Sequence, residues 1–424
     1  MVFSESLGKN DSSLRNFETS IRSAAPHEMP DNDPEDIIIA MLPDSPQDLS
    51  SPYRDPDGHT DCLMHASMKE QILKTPDFPQ PILRPPNNVV RHRVDRSRYP
   101  GGGLGVFATV DLKQGDLIFS ERAFFITSST IRVGGNGPAP EWSERIQQRE
   151  GMKQRETELE LMLNRMSKED KKAYLALHNS QHGKEVGPLL GIWETNAFRL
   201  QSVIDLKHKN EIYCGVFKDG SRINTSCSPS VGWSFNLHTF AMEFRALRNI
   251  EQGEELTTLY NQALLSPCVI RQKALIHYGF TCQCNPCKSR QDSDASRQTI
   301  YQNPNPERWR LVLWLIQEEP KRVALGDWVV ENSTKIVQLI EQEGLEETSP
   351  YDRHLAFLVD AYRAMGNAEG AFICLRKYEA IRRVRHGGEE KSGPNILRAV
   401  KSHRRWDWAS RVKEVIMYIG MASA

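Results

Sequence analysis

Three of the chain's eight cysteines, Cys282, Cys284 and Cys287, fall within six residues, while Cys62, Cys214, Cys227, Cys268 and Cys374 are scattered. A chain of 424 residues can bury ordinary hydrophobic cores and does not need a disulfide framework. In a reducing compartment, so tight a thiol cluster argues for a metal before it argues for disulfides. Zn²⁺ favours four thiolate or imidazole ligands in a tetrahedron, and structural sites are closed. The cluster supplies three ligands, so a fourth must come from elsewhere in the chain. Free or redox-active thiols are the alternative.

Composition limits the remaining choices. With 54 basic and 55 acidic residues the formal net charge is −1, so bulk electrostatics does not mark a nucleic-acid binder. Nothing near Met1 resembles a secretory signal. The most apolar early run, Ile37 to Leu42, is far short of the ~20 residues of a membrane span. The chain therefore reads as soluble and intracellular. Residues 1–88 carry 12 of the 24 prolines and 15 acidic against 7 basic residues, a composition that predicts a largely disordered segment.

Order is expected from about Val89. Leu104 to Glu121 reads as two short strands broken at Lys113-Gln114-Gly115-Asp116. From about Pro140 the pattern is helical. Ser167 and Asp170 form a capping signal, preceded by a helix whose charges read as a solvated face. Phe240 to Ala246 alternates like a half-buried strand. Ser266 as N-cap, Pro267 at the first helical position and Gly279 beyond the end punctuate a short helix before the cysteines. Ser289 to Pro306 reads as a polar linker, and helices follow. Leu355, Leu358, Tyr362 and Met365 share one face, Gly366-Asn367 breaks the helix, and Ala371, Leu375 and Tyr378 line the next. That pair looks like one tetratricopeptide-type unit.

Three segments carry chemistry. Gly101 to Ala108 is a glycine-dense bend running into a strand. Alone it is a plain turn, and a dinucleotide or P-loop reading fails because those glycines must open a helix. Arg222-Ile223-Asn224-Thr225-Ser226-Cys227-Ser228-Pro229 is followed by Gly253-Glu254-Glu255-Leu256-Thr257-Thr258-Leu259-Tyr260, and Tyr278-Gly279-Phe280 runs into the cysteine cluster. In this order, across residues 92–288, these landmarks resemble the SET-domain protein lysine methyltransferases, particularly the SET and MYND branch. Its MYND zinc finger is missing: no cysteine lies between Phe125 and Trp193.

The resemblance implies an α+β fold with a mainly β SET core at residues 89–262, a helical insert at about 129–190 and a post-SET zinc segment at 263–290. A linker at 291–305 and a helical, tetratricopeptide-like domain at 306–424 complete the expected order. It implies Cys227 as the fourth ligand of a structural Zn²⁺ with Cys282, Cys284 and Cys287. It implies S-adenosyl-L-methionine as methyl donor, held by the backbone of Gly103, Leu104 and Gly105, by Asn224, Thr225 and Asn196 at its amino-acid end, and by Tyr260 and Phe280. Tyr260, Tyr278 and Phe198 are the implied walls of a lysine channel.

The chemistry needs a neutral amine aligned with a methyl carbon and its leaving sulfur in a water-poor channel, which aromatic walls suit. Thr225 stands where the family has His, and Ser230 where it has Asn; the first is expected to loosen cofactor binding. The expected function is methylation of a lysine on a protein, histone or non-histone, in the nucleus or cytoplasm. A weak or inactive SET-fold adaptor, binding protein partners through its C-terminal helices, is the alternative. Direct nucleic-acid binding is not expected, and Arg382, Arg383, Arg385, His386, Lys401, His403, Arg404, Arg405, Trp406 and Trp408 read as a solvated basic face.

Overall fold

Ile37-Ile38-Ile39-Ala40-Met41-Leu42 is a β-branched run that places two apolar faces on one strand. In the computed structural model it forms the Ile37–Leu42 strand, paired antiparallel with Thr60–His65 from Ile37↔His65 to Leu42↔Thr60. The structure describes residues 22–23, 36–43, 57–99, 101–130, 143–181, 185–208, 211–317, 321–388, 398 and 402. The composition-based expectation of disorder across 1–88 is thus overturned at 37–42 and 60–73. Thr60–His65 is buried throughout, and a helix, Ala66–Leu73, follows it directly. Averaging over prolines and acids conceals two short runs apolar enough to be buried on both faces, as interior strands are.

The chain divides into two compact units that cut across the linear domain order. The first is drawn from Met1–Arg84, Ser120–Arg222 and Ser234–Glu243, the second from Pro85–Phe119, Ile223–Trp233 and Phe244–Ala424. Ala241–Ala246 was expected to be half-buried; all six residues are buried. Glu243 tolerates this because Asn236 Nδ2 donates to its carboxylate at 2.7 Å.

The first unit holds a six-stranded sheet in the order 22–23, 37–42, 60–65, 125–128, 212–216, 198–204. Helices Glu144–Arg165 and Lys168–Leu175 fall within residues 129–190, and a third, Pro188–Asn196, runs past that range. Their Leu159, Met162, Tyr174 and Trp193 join Leu63 and Phe125 in one core. Ser167 caps its helix by accepting from Asp170 N at 3.0 Å. The preceding helix is more than a solvated face, for Arg155 and Glu158 are both buried and pair at 2.9 Å.

The second unit holds a four-stranded sheet in the order 224–225, 255–258, 104–108, 92–96. Its helices begin earlier than expected. Arg290–Gln302 is helical where a linker was expected, burying Ser293, Arg297 and Ile300 at helical spacing. Cys268–Ala274 starts one residue late, with Pro267 as N-cap, and left-handed Gly279 closes the next turn. Helices Ser349–Ala364 and Ala368–His386 form the expected pair, with Leu355, Leu358, Ala371 and Leu375 in the core. Arg383 and Arg385 leave the supposed basic face: Arg383 is buried, and Arg385 binds Asp352 and the carbonyls of Glu347 and Thr348. Lys401, His403, Arg404, Arg405, Trp406 and Trp408 lie outside the described residues. Among the described residues no helix is long and apolar enough to cross a membrane.

Glu346, 3% exposed, has no partner for its Oε2. Burial pushes its carboxyl up to about 8. An acid whose pKa is raised by folding makes the fold less stable as pH climbs from the unfolded value, ~4.3, toward the folded one. Glu346→Gln should therefore stabilise the protein by an amount growing between pH 5 and about 8, on the order of 1–3 kcal/mol near neutrality. Thermal melts of both proteins across that range check the sign. A gain independent of pH would refute it.

Candidate methyl-transfer and metal site

The bend is built from its own hydrogen bonds. Ser97 N donates to Gly103 O at 3.0 Å and Gly102 N to Tyr99 O at 2.9 Å. Gly103 sits at φ +60, where a side chain would strain the backbone. Gly105 is needed for a different reason: a Cβ there would lie 2.4 Å from Glu255 Oε1 and 3.1 Å from Asn224 Nδ2. Asn224 is brought to the bend because residues 224–225 pair parallel with Thr257 and Thr258, whose strand pairs through Leu256 and Glu255 with Val106 and Phe107.

Asn224 Nδ2 donates to Glu255 Oε1 at 2.9 Å, Leu104 O at 3.2 Å and Gly102 O at 3.3 Å. Three acceptors fix which end of the amide is nitrogen, leaving Oδ1 as its acceptor. Thr225 Oγ1 accepts from Tyr260 N at 3.2 Å, tying residues 224–225 to the end of the Glu255–Thr258 strand.

Tyr260 donates its hydroxyl proton to Ile223 O at 2.9 Å and packs against Tyr278, with ring centroids 4.7 Å apart. Burial first, then the neighbouring Tyr278, raises the Tyr260 phenol, and burial raises Tyr278 as well. Both stay neutral at physiological pH, so neither serves as a base. Tyr278 continues to Phe280 at 6.5 Å. Leu104 and Phe280 are 44% and 40% exposed, apolar surface that a bound ring would cover.

The structure thus gathers Gly103, Leu104, Gly105, Asn224, Thr225, Tyr260, Tyr278 and Phe280 in the second unit. Asn196 and Phe198 belong to the first. Asn196 Nδ2 donates to Ile192 O at 2.6 Å and His178 O at 2.7 Å. Phe198 sets its ring edge-on to Phe217 at 5.8 Å. A cavity of about 610 Å³ borders Arg98, Tyr99 and Glu255, yet its lining includes none of the expected cofactor residues.

The sulfurs of Cys227, Cys282, Cys284 and Cys287 all lie within 4.8 Å of one another. Cys284 accepts from Cys227 N at 3.4 Å, and Cys227 and Cys287 sulfurs are 3.6 Å apart. Hydrogen bonds from the other thiols, Cys227 first, pull the Cys284 thiol well down. The surroundings fit a four-thiolate Zn²⁺, whose net charge is −2. Arg271 and Arg297 are both 0% exposed. Arg271 Nη1 donates to Ser266 O and Asp294, while its Nε and Nη2 have no nitrogen or oxygen partner. Burial works against the Arg271 charge, but the Cys227 and Cys287 sulfurs outweigh it and hold its pKa up. Arg297 braces the other side, donating to Cys227 O at 2.9 Å. Neither arginine stands out in the sequence; no motif signals them.

Residues 103–261 match the SET domain family. Over 207 residues the chain is 30% identical to Histone-lysine N-methyltransferase set5 of Schizosaccharomyces pombe, covering 47% of this chain and 54% of that protein. Over 198 residues it is 29% identical to Histone-lysine N-methyltransferase SMYD3 of Homo sapiens, covering 45% of this chain and 44% of that one. A solved structure of ctPRC2 bound to S-adenosylmethionine covers 78% of this chain and 34% of its own at 13% identity and a TM-score of 0.22, too slight a likeness to build on. The chain contains a SET domain homologous to those of set5 and SMYD3, and spans about half the length of these curated relatives.

Proposed function

We propose that the protein is a protein lysine N-methyltransferase using S-adenosyl-L-methionine, with a structural zinc at Cys227, Cys282, Cys284 and Cys287. The observation that carries this reading is the convergence, in one unit of a SET-domain chain, of the latched glycine bend, Asn224 and the Tyr260–Tyr278 pair. When bound, S-adenosylmethionine supplies a sulfonium-activated methyl group to a neutral amine. Asn224 Oδ1 suits an ammonium group, and bend carbonyls add further acceptors. Leu104 and Phe280 offer apolar cover for a ring. Because the Tyr260 proton is committed to Ile223 O, its lone pairs are what the hydroxyl offers a positively charged centre.

The relatives' names make histones the first substrates to try, with non-histone proteins next and the C-terminal helices as a surface for protein partners. The experiment is calorimetry with S-adenosylmethionine followed by a methylation assay on histones and cell extract. The initial rate should rise with pH as the substrate amine deprotonates. Burial keeps the Tyr260 and Tyr278 phenols protonated, so ionisation of neither should give a downturn below the ordinary phenol value of about 10.

Metal analysis should find about one zinc per chain, and Cys284→Ser should release it, because a closed site needs all four ligands. Arg271→Met keeps the volume but removes the donors facing sulfur. Chelator should then strip zinc about tenfold faster, as for other outer partners of metal ligands. A metal-free, fully folded wild-type protein would refute both.

A further inference from the structure

We propose that Glu255 is a positioning residue that latches the glycine bend and turns Asn224 toward the cofactor. Glu255 is 8% exposed. Its Oε1 accepts from Ser97 Oγ at 2.7 Å and Asn224 Nδ2 at 2.9 Å, and its Oε2 from Arg98 N at 3.1 Å. Ser97 Oγ, its proton committed to Glu255, can then accept from Tyr99 N at 3.1 Å. One carboxylate therefore holds the Ser97–Arg98 end of the bend and the Asn224 amide, which in turn donates to Gly102 O and Leu104 O. Arg98 ties the bend to the same turn from outside, with Nη2 donating to Gly253 O at 3.0 Å.

A carboxylate is required because all three groups facing it are donors. A glutamine has the same shape but must present its NH₂ to at least one of them, and donor facing donor opens the network. Gly105 reports the same constraint from the other side, since any Cβ there collides with the Glu255 carboxylate. Of the two glutamates in Gly253-Glu254-Glu255-Leu256, Glu254 serves elsewhere, pairing with Arg248 and accepting from Glu251 N. The inference rests on the cofactor reading, because the amide oxygen of Asn224 matters only if a ligand meets it.

The test is Glu255→Gln, with Ser97→Ala as the milder second variant at a partly exposed position. Two quantities are read: cofactor affinity by calorimetry, and amide hydrogen exchange over residues 97–105 without cofactor. Glu255→Gln should weaken cofactor binding by about tenfold or more, since hydrogen bonds to a charged group are lost. Turnover at saturating cofactor and zinc content should stay near wild type, a split that general destabilisation would not give. Exchange in the bend should quicken while the Ala241–Ala246 strand stays protected. Ser97→Ala should move both readouts the same way by a smaller factor. Unchanged exchange in the bend would overturn the latch whether or not the wild type binds cofactor. Faster exchange with unchanged cofactor affinity would overturn its role in positioning. Wild-type protein that never binds cofactor would sink the functional reading and this role with it, while quickened exchange would still report the bare contact.

Discussion

Removal of residues 1–73 is expected to leave a protein whose first unit does not fold. The Thr60–His65 strand is interior to its sheet, bonded on one side to Ile37–Leu42 and on the other, in parallel, to Phe125–Ser128. Ile38, Leu42, Leu63, Met64, Met68 and Ile72 are all buried. At about 1.5–3 kcal/mol for each large apolar side chain, their loss is on the order of 10–20 kcal/mol, against a typical total stability of about 5–15 kcal/mol. Circular dichroism and size-exclusion chromatography of the truncated chain should show lost β structure and aggregation. Leu63→Ala, which only opens a cavity, should cost about 2–5 kcal/mol. A soluble truncation melting like the full chain would show that the sheet does not depend on these strands.

Tyr260→Phe is expected to lower turnover on the order of 10²-fold, as for other single polar groups placed at a reacting centre. The ring and its packing on Tyr278 remain, so cofactor affinity should change little. The substitution also orphans Ile223 O, which should cost about 1–2 kcal/mol of stability. A melt separates the two effects, because a lower melting temperature does not by itself reduce turnover in protein that is still folded at the assay temperature. Retention of full activity would remove Tyr260 from the channel.

What the sequence made legible was the ordered set of motifs, because strand pairing carries them together: Asn224 lies on one strand of a sheet, and the bend and Tyr260 lie at the ends of two others, Leu104–Ala108 and Glu255–Thr258. The tight cysteine spacing was equally readable, and the structure brings Cys227 to it. The misses have physical causes. Ile37 to Leu42 is too short for a membrane span, yet its β-branched residues are a strand signal that the surrounding prolines and acids mask. Arg290–Gln302 hid its helical period because two of its three buried positions, Ser293 and Arg297, are polar. Which carbonyls take the Asn196 amide nitrogen, those of His178 and Ile192, is likewise set by the fold and by no motif. Glu255 stands within the Gly253-Glu254-Glu255-Leu256 segment and Arg271 in no motif, and the role of each is hidden for the same reason: it lies in which groups face them after folding.

The central claim is tested most directly by titrating zinc-loaded wild-type protein with S-adenosylmethionine and then following labelled methyl transfer to histones and cell extract, with Tyr260→Phe in parallel. The account predicts saturable binding by both proteins, transfer to protein lysine by the wild type, and about a hundredfold slower transfer by the variant. Well-folded, zinc-loaded protein that does not bind S-adenosylmethionine would contradict it.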